Sequence, residues 1–106
     1  MISIIDEIKQ ERWSQNEKWG IQDHSAIEWI AILTEEVGEA AKEAVNFRFN
    51  NPNKRQRISQ EEIQKMRMAD YRRELIQVAA VAIQAIESLD RQAKPEYKPR
   101  KTYTHD

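Results

Sequence analysis

Four carboxylates fall within nine residues in the stretch Glu35-Glu36-Val37-Gly38-Glu39-Ala40-Ala41-Lys42-Glu43. On a helix turning about 100° per residue, Glu36, Glu39 and Glu43 lie within about 60° of one another. Trp29, Ile32, Ala40 and Phe47 point nearly the same way, whereas Glu35 joins Glu28 and Lys42 on a stripe that suits water. Carboxylates grouped on a face with large apolar side chains repel one another and lose hydration unless a cation joins them. A hard divalent cation is the chemistry this pattern suits, and the alternative is a solvated acidic edge on an amphipathic helix. Further oxygens should come from a second helix. Glu74 stands where the chain turns apolar, Asp70 one turn earlier and Gln77 nearly one turn later on the same face. Four oxygens from two antiparallel helices, with waters, suit the octahedral preference of Mg²⁺. The alternatives for Glu74 are exposure at a helix boundary or pairing with Lys42 or Arg48.

The elements that must position these groups are all helical. Ile4, Ile5, Ile8 and Trp13 predict a first helix within residues 2–18 with one apolar face. Trp19-Gly20-Ile21-Gln22-Asp23-His24 connects it to Ser25-Ala26-Ile27-Glu28, a capping box that opens a second helix running to about Phe49. That helix is apolar over most of its circumference, through Ile27, Ile30, Leu33, Val37, Ala41, Ala44 and Val45, as a central helix is. Asn50 to Arg57 reads as a polar, basic loop, and Ser59-Gln60-Glu61-Glu62 is a second capping box opening a third helix. The third helix begins polar, turns apolar from Glu74 and continues to Leu89. The expected organisation is one domain over residues 1–92 and an extended or mobile tail over 93–106, which carries Pro95 and Pro99.

Composition bounds the function. At 106 residues with 33% charged residues and a net charge of −1, the chain lacks the basic excess of a nucleic-acid polymer binder. It has no cysteine, which excludes disulfides and thiolate metal sites and makes a cytoplasmic setting the expectation. No stretch reaches the length of a membrane span, the N-terminus lacks the apolar run of a signal peptide, and no Gly-rich phosphate loop is present.

Glu36-Val37-Gly38-Glu39 followed by Glu74-Leu75-Ile76-Gln77 resembles the MazG-like all-α nucleoside triphosphate pyrophosphohydrolases, whose pattern is E-x-x-E, a spacer, then E-x-x-D. The segment from Leu33 to Ala41 looks like the first motif helix of that family. The segment from Arg73 to Asp90 looks like the second motif helix of its short members, and Trp19 to His24 looks like their approach to the first motif. The match covers roughly Trp13 to Asp90.

The resemblance implies hydrolysis of (d)NTPs between the α- and β-phosphates to (d)NMP and pyrophosphate. It implies Mg²⁺, or Mn²⁺ in its place, held by Glu36, Glu39 and Glu74, which would also carry the catalysis. It also implies long antiparallel helices that form a four-helix core in a homodimer or higher homo-oligomer. Three helices cannot easily enclose two nearly all-round apolar ones, so the residues point to self-association as well. At the fourth position Gln77 departs from the family, offering a neutral carbonyl oxygen where Asp is expected. Asp70 and Glu43 are the auxiliary carboxylates that would compensate. Lys54, Arg55 and Arg57, or Arg67, Arg72 and Arg73, are the cations available to the pyrophosphate. Trp13, Trp19, Trp29 and Phe47 are candidates to stack on a base and His24 to bond its edge, against an ordinary core role for each aromatic. The other function class is a catalytically weak or inactive helical module that binds nucleotide or a protein partner, and Gln77 is the residue that favours it.

Overall fold

The computed structural model describes residues 2–51 and 59–99. Within them the chain is all-helical: α1 spans Ile4–Trp19, α2 Ala26–Arg48 and α3 Gln60–Gln92. No described helix is long and apolar enough to cross a membrane. Lys54, Arg55 and Arg57 of the basic loop, and residues 100–106 of the tail, lie outside the described residues.

Each helix starts on a serine that satisfies an otherwise unpaired amide. Ser3 accepts from Asp6 N, Ser25 from Glu28 N and Ser59 from Glu62 N. At Ser25 the box is complete, because the Ser25 amide donates to Glu28 Oε1 at 2.9 Å. Helix α1 stops at Gly20, whose φ of 74° lies in the left-handed region that favours glycine. Beyond α2, Asn50 takes φ 51°, a conformation asparagine tolerates, and the Asn51 amide closes back on Asn46 O at 3.0 Å.

Helix α3 is the spine. It packs against α2 and against α1, while α1 and α2 do not pack on each other. Between them lies a trough with α3 as its floor. The apolar core is small: Trp29, Ala40, Ile63, Ala80 and Val81 are its buried members. Phe47 stacks on Tyr71 with ring centroids 6.1 Å apart.

The packed face of α1 differs from the expected one. Ile4, Ile5 and Trp13 are 62%, 62% and 67% exposed, and the inward positions are Ile8, Glu11, Arg12, Gln15 and Asn16. Polar bonds, not apolar burial, hold α1 to α3. Arg12, 8% exposed, donates from Nε to Glu87 Oε1 at 2.7 Å, and its two Nη atoms fasten Gln15 and Asn16. At the other end Arg72 grips both carboxylate oxygens of Glu7. That contact holds the Glu7 carboxyl below the usual carboxylate range.

The α1–α2 connection is tied to the end of α3 through Asp23. This carboxylate accepts from Ser88 Oγ, from Arg91 Nε and Nη2, and from the Tyr97 hydroxyl at 3.4 Å. The start of the tail is therefore not extended: residues 93–96 turn back and Tyr97 reaches the body of the protein. Asp23→Ala removes the acceptor shared by Ser88 and Arg91 and leaves Arg91 its bond to Gln22 O, a loss of about 2 kcal/mol for a partly exposed arginine. A fall in Tm on the order of 10 °C is expected in a calorimetric scan.

Candidate functional site

Helix α2 turns its acidic face toward α3. Glu36 and Glu43 are half-buried there, flanked by the buried Trp29 and Ala40. From α3, Glu74 and Gln77 are half-buried in turn. The carboxylates of the two helices act on one another. Burial raises the Glu36 carboxyl above its ordinary value, and the charges of Glu74, Glu39, Glu35 and Glu11 push it further. Burial raises Glu74 as well, with Glu39, Glu43 and Asp70 pushing the same way and Arg73 opposing. Neither Glu36, Glu39 nor Glu74 forms an ion pair among the described residues, so the proposed pairing of Glu74 with Lys42 or Arg48 is not formed. A negative cluster shared by two helices suits a hard metal ion in donor chemistry, although Lys18 lines the same trough and Arg73 acts on Glu74. Among the described residues, however, no three His, Cys, Asp or Glu side chains are already gathered tightly enough to hold one.

The two auxiliary carboxylates share a cation instead. Arg67 Nη1 lies 3.8 Å from Glu43 Oε2 and 3.8 Å from Asp70 Oδ2, and its Nε donates to Asn51 O. Arg73 adds a 3.0 Å bond to Asp70 Oδ1. Glu43 Oε2 is buried and accepts no hydrogen bond. Glu43 and Asp70 are thus balanced by arginine, which makes them poor substitutes for the charge missing at Gln77.

The residue that approaches Gln77 is Glu11 of α1. Gln77 Nε2 donates to Glu11 Oε1 at 2.6 Å, and Gln77 Oε1 accepts from Gln15 Nε2 at 3.4 Å. Gln15 is in turn held by Arg12. A relay from Glu87 through Arg12 and Gln15 therefore sets which way the Gln77 amide faces. Sequence reasoning missed Glu11. Its signal was its place with Ile8, Arg12 and Gln15 at intervals of three and four on one face.

Glu11, Glu36 and Gln77 stand on the wall of a cavity of about 400 Å³ in the trough. Ser14, Gln15, Lys18, Trp19 and Gln22 form its α1 side, Ile32 its α2 side, and Val81 and Gln84 the rest of its floor. A second cavity, of about 520 Å³, lies on the α1–α3 seam and shares Glu11 and Ser14. Arg72 and Arg73 line it, together with Glu7.

The remaining candidates divide. Trp19 lies on the first cavity, 64% exposed, with Lys18 Nζ 5.3 Å from the centre of its ring. Arg72 lies on the second. Trp29 is 5% exposed, packed edge-on against His24 with centroids 4.9 Å apart, and lines neither cavity. His24 lies near Gln22 and Glu28, outside both linings. Trp13 is exposed on the outer face of α1 and Phe47 packs in the interior. Lys54 is outside the described residues. Comparison of the chain with protein-family models, with curated proteins and with solved structures found no match.

Proposed function

We propose that this chain is a Mg²⁺-dependent nucleoside triphosphate pyrophosphohydrolase of the MazG-like kind, acting as a homodimer. The observation that carries this reading is the charge repulsion acting between Glu36 of α2 and Glu74 of α3, to which Glu39 adds, with Glu36 on the wall of a trough cavity of about 400 Å³. Glu36, Glu39 and Glu74 would hold the cation with the Gln77 carbonyl, and Mn²⁺ would serve in place of Mg²⁺. Glu11 supplies the negative charge that Gln77 lacks. The cation supplies charge neutralisation on the phosphate chain when bound.

The chain's own residues do the rest. Glu39 or Glu36 would polarise the attacking water and take its proton. The water oxygen joins the α-phosphorus while the oxygen bridging to the β-phosphate leaves with pyrophosphate. Arg72 and Arg73, which line the neighbouring cavity, would receive that leaving group, Arg72 by exchanging Glu7 for phosphate oxygens.

Dimerisation is supported by an apolar stripe on the side of α2 roughly opposite the carboxylates. Ile27, Ile30 and Val45 are 85%, 62% and 52% exposed, and Thr34, Gly38 and Ala41 lie exposed between them. Leu75, Ile86 and Leu89 add 44%, 57% and 64% exposed positions on α3. Two copies closing these faces would build a four-helix core.

Pairs of variants test Glu11. Glu11→Gln is expected to weaken Mg²⁺ binding about tenfold by calorimetric titration, since it removes a charge near the ion. Gln77→Asp alone replaces the amide that donates to Glu11 by a second nearby carboxylate and is expected to lower the Tm of the metal-free protein. The double variant Glu11→Gln/Gln77→Asp should recover affinity beyond the sum of the singles. Additive losses would remove Glu11 from the site. The function itself is tested with a panel of NTPs and dNTPs and Mg²⁺, followed by pyrophosphate release. Turnover lost in Glu39→Gln supports it. Absence of turnover with every nucleotide favours a binding module.

A further inference from the structure

We propose that the trough cavity between α1 and α2 receives the base of the nucleotide and that Gln84 reads the base edge. This rests on the reading of the chain as a nucleotide hydrolase and adds to it the residue that sets specificity.

Among the described residues four polar or charged ones are buried: Arg12, Asp23, Gln84 and Ser88. Three are fully engaged. Arg12 bonds Glu87, Gln15 and Asn16, while Asp23 and Ser88 bond each other and their neighbours on α3. Gln84 is the exception. It is 6% exposed and lies on the cavity floor, and among the described residues its amide has no hydrogen-bond partner. The buried unpaired side-chain atoms among the described residues belong to Trp29, Glu43 and Asn50, so the Gln84 amide opens on the cavity, where a ligand can complete its bonds.

The surroundings suit a planar heterocycle. Ile32 and Val81 supply apolar walls, and the exposed Trp19 ring stands at the mouth as a stacking surface. An amide presents a donor and an acceptor in one plane, which matches the adjacent donor and acceptor on a base edge. The distance also fits. Gln77, beside Glu36 and Glu11, precedes Gln84 by two turns of α3, about 10 Å. That interval leaves room for the sugar between the base and an α-phosphate at the carboxylates.

The test combines two measurements on the intact chain. The four nucleoside 5′-monophosphates are titrated without metal and followed by tryptophan fluorescence. The four triphosphates are compared by kcat and KM with Mg²⁺. We expect the wild type to prefer one base, and Gln84→Leu to level that preference by raising KM for the favoured base at least about tenfold with little change in kcat. The Tm of Gln84→Leu should hold, because no hydrogen bond among the described residues is lost. An unchanged base profile in Gln84→Leu, with hydrolysis intact, would overturn the inference and leave the hydrolase standing. Gln84-dependent binding of monophosphates without any hydrolysis would support the inference and remove the hydrolase. Should Gln84→Leu not fold, Trp19→Ala at the exposed rim is the second variant. It should weaken all four monophosphates, and unaltered binding would overturn the pocket. A wild type that binds all four equally would overturn the role of Gln84.

Discussion

Replacing Glu36 with Gln is expected to make the metal-free protein more stable at neutral pH and to abolish its response to Mg²⁺. The two effects have one cause. The Glu36 carboxyl lies above its ordinary value of 4.5, through burial first and then through Glu74, Glu39, Glu35 and Glu11. A carboxyl raised in the folded state binds more protons folded than unfolded. Its contribution to stability is therefore fully present below the unfolded value and lost as pH rises through the folded one. Glu74 is raised in the same sense, so the pair weakens the metal-free fold at neutral pH. Glu36→Gln should raise Tm by a few degrees at pH 7 and make little difference at pH 4. Wild type should regain that stability when Mg²⁺ is added, because an ion that binds only the folded state stabilises it by mass action. The variant should not. Its kcat/KM should fall about a thousandfold, the order expected when a group acting on developing phosphate charge is removed. A simply solvated acidic edge would instead leave Tm, Mg²⁺ response and activity unchanged.

The second large effect is expected at the α2 stripe. Ile30→Glu changes an exposed residue, so in a monomeric protein it would be silent. In a two-fold dimer each substitution is felt twice, and losing burial of an isoleucine costs about 2 kcal/mol per copy. That amounts to roughly a thousandfold in the dimer dissociation constant. Light scattering should find the wild type dimeric at micromolar concentration and Ile30→Glu monomeric, with a lower Tm. A monomeric wild type would contradict the proposed dimer.

Local rules explain what was legible in the sequence. Ser25 with Glu28 marked the start of α2 and Ser59 that of α3, because an N-cap is a contact over three residues. Helical periodicity places Glu36, Glu43, Glu74 and Gln77 on inward faces, whereas Glu39, expected beside Glu36 and Glu43, is exposed. The orientation of α1 was not legible. Its apolar residues Ile4, Ile5 and Trp13 face outward, and its polar ones pack, because Arg12 finds Glu87 and Glu7 finds Arg72 across 75 and 65 positions of sequence. Charge pairing at such separation leaves no periodic mark. Glu11 was missed for that reason. For the same reason the sequence marks Glu43 and Asp70 as spare carboxylates, whereas Arg67 stands between them. Trp29, a stacking candidate by type, packs in the core against His24, a distinction that depends on how α2 is turned toward α3.

The most direct measurement of the central proposal is a ³¹P NMR product analysis of a nucleoside triphosphate incubated with the protein and Mg²⁺. The account predicts monophosphate and pyrophosphate in equal amounts, lost on adding EDTA and lost in Glu74→Gln. Release of orthophosphate and diphosphate, or an intact triphosphate under all conditions, would contradict it.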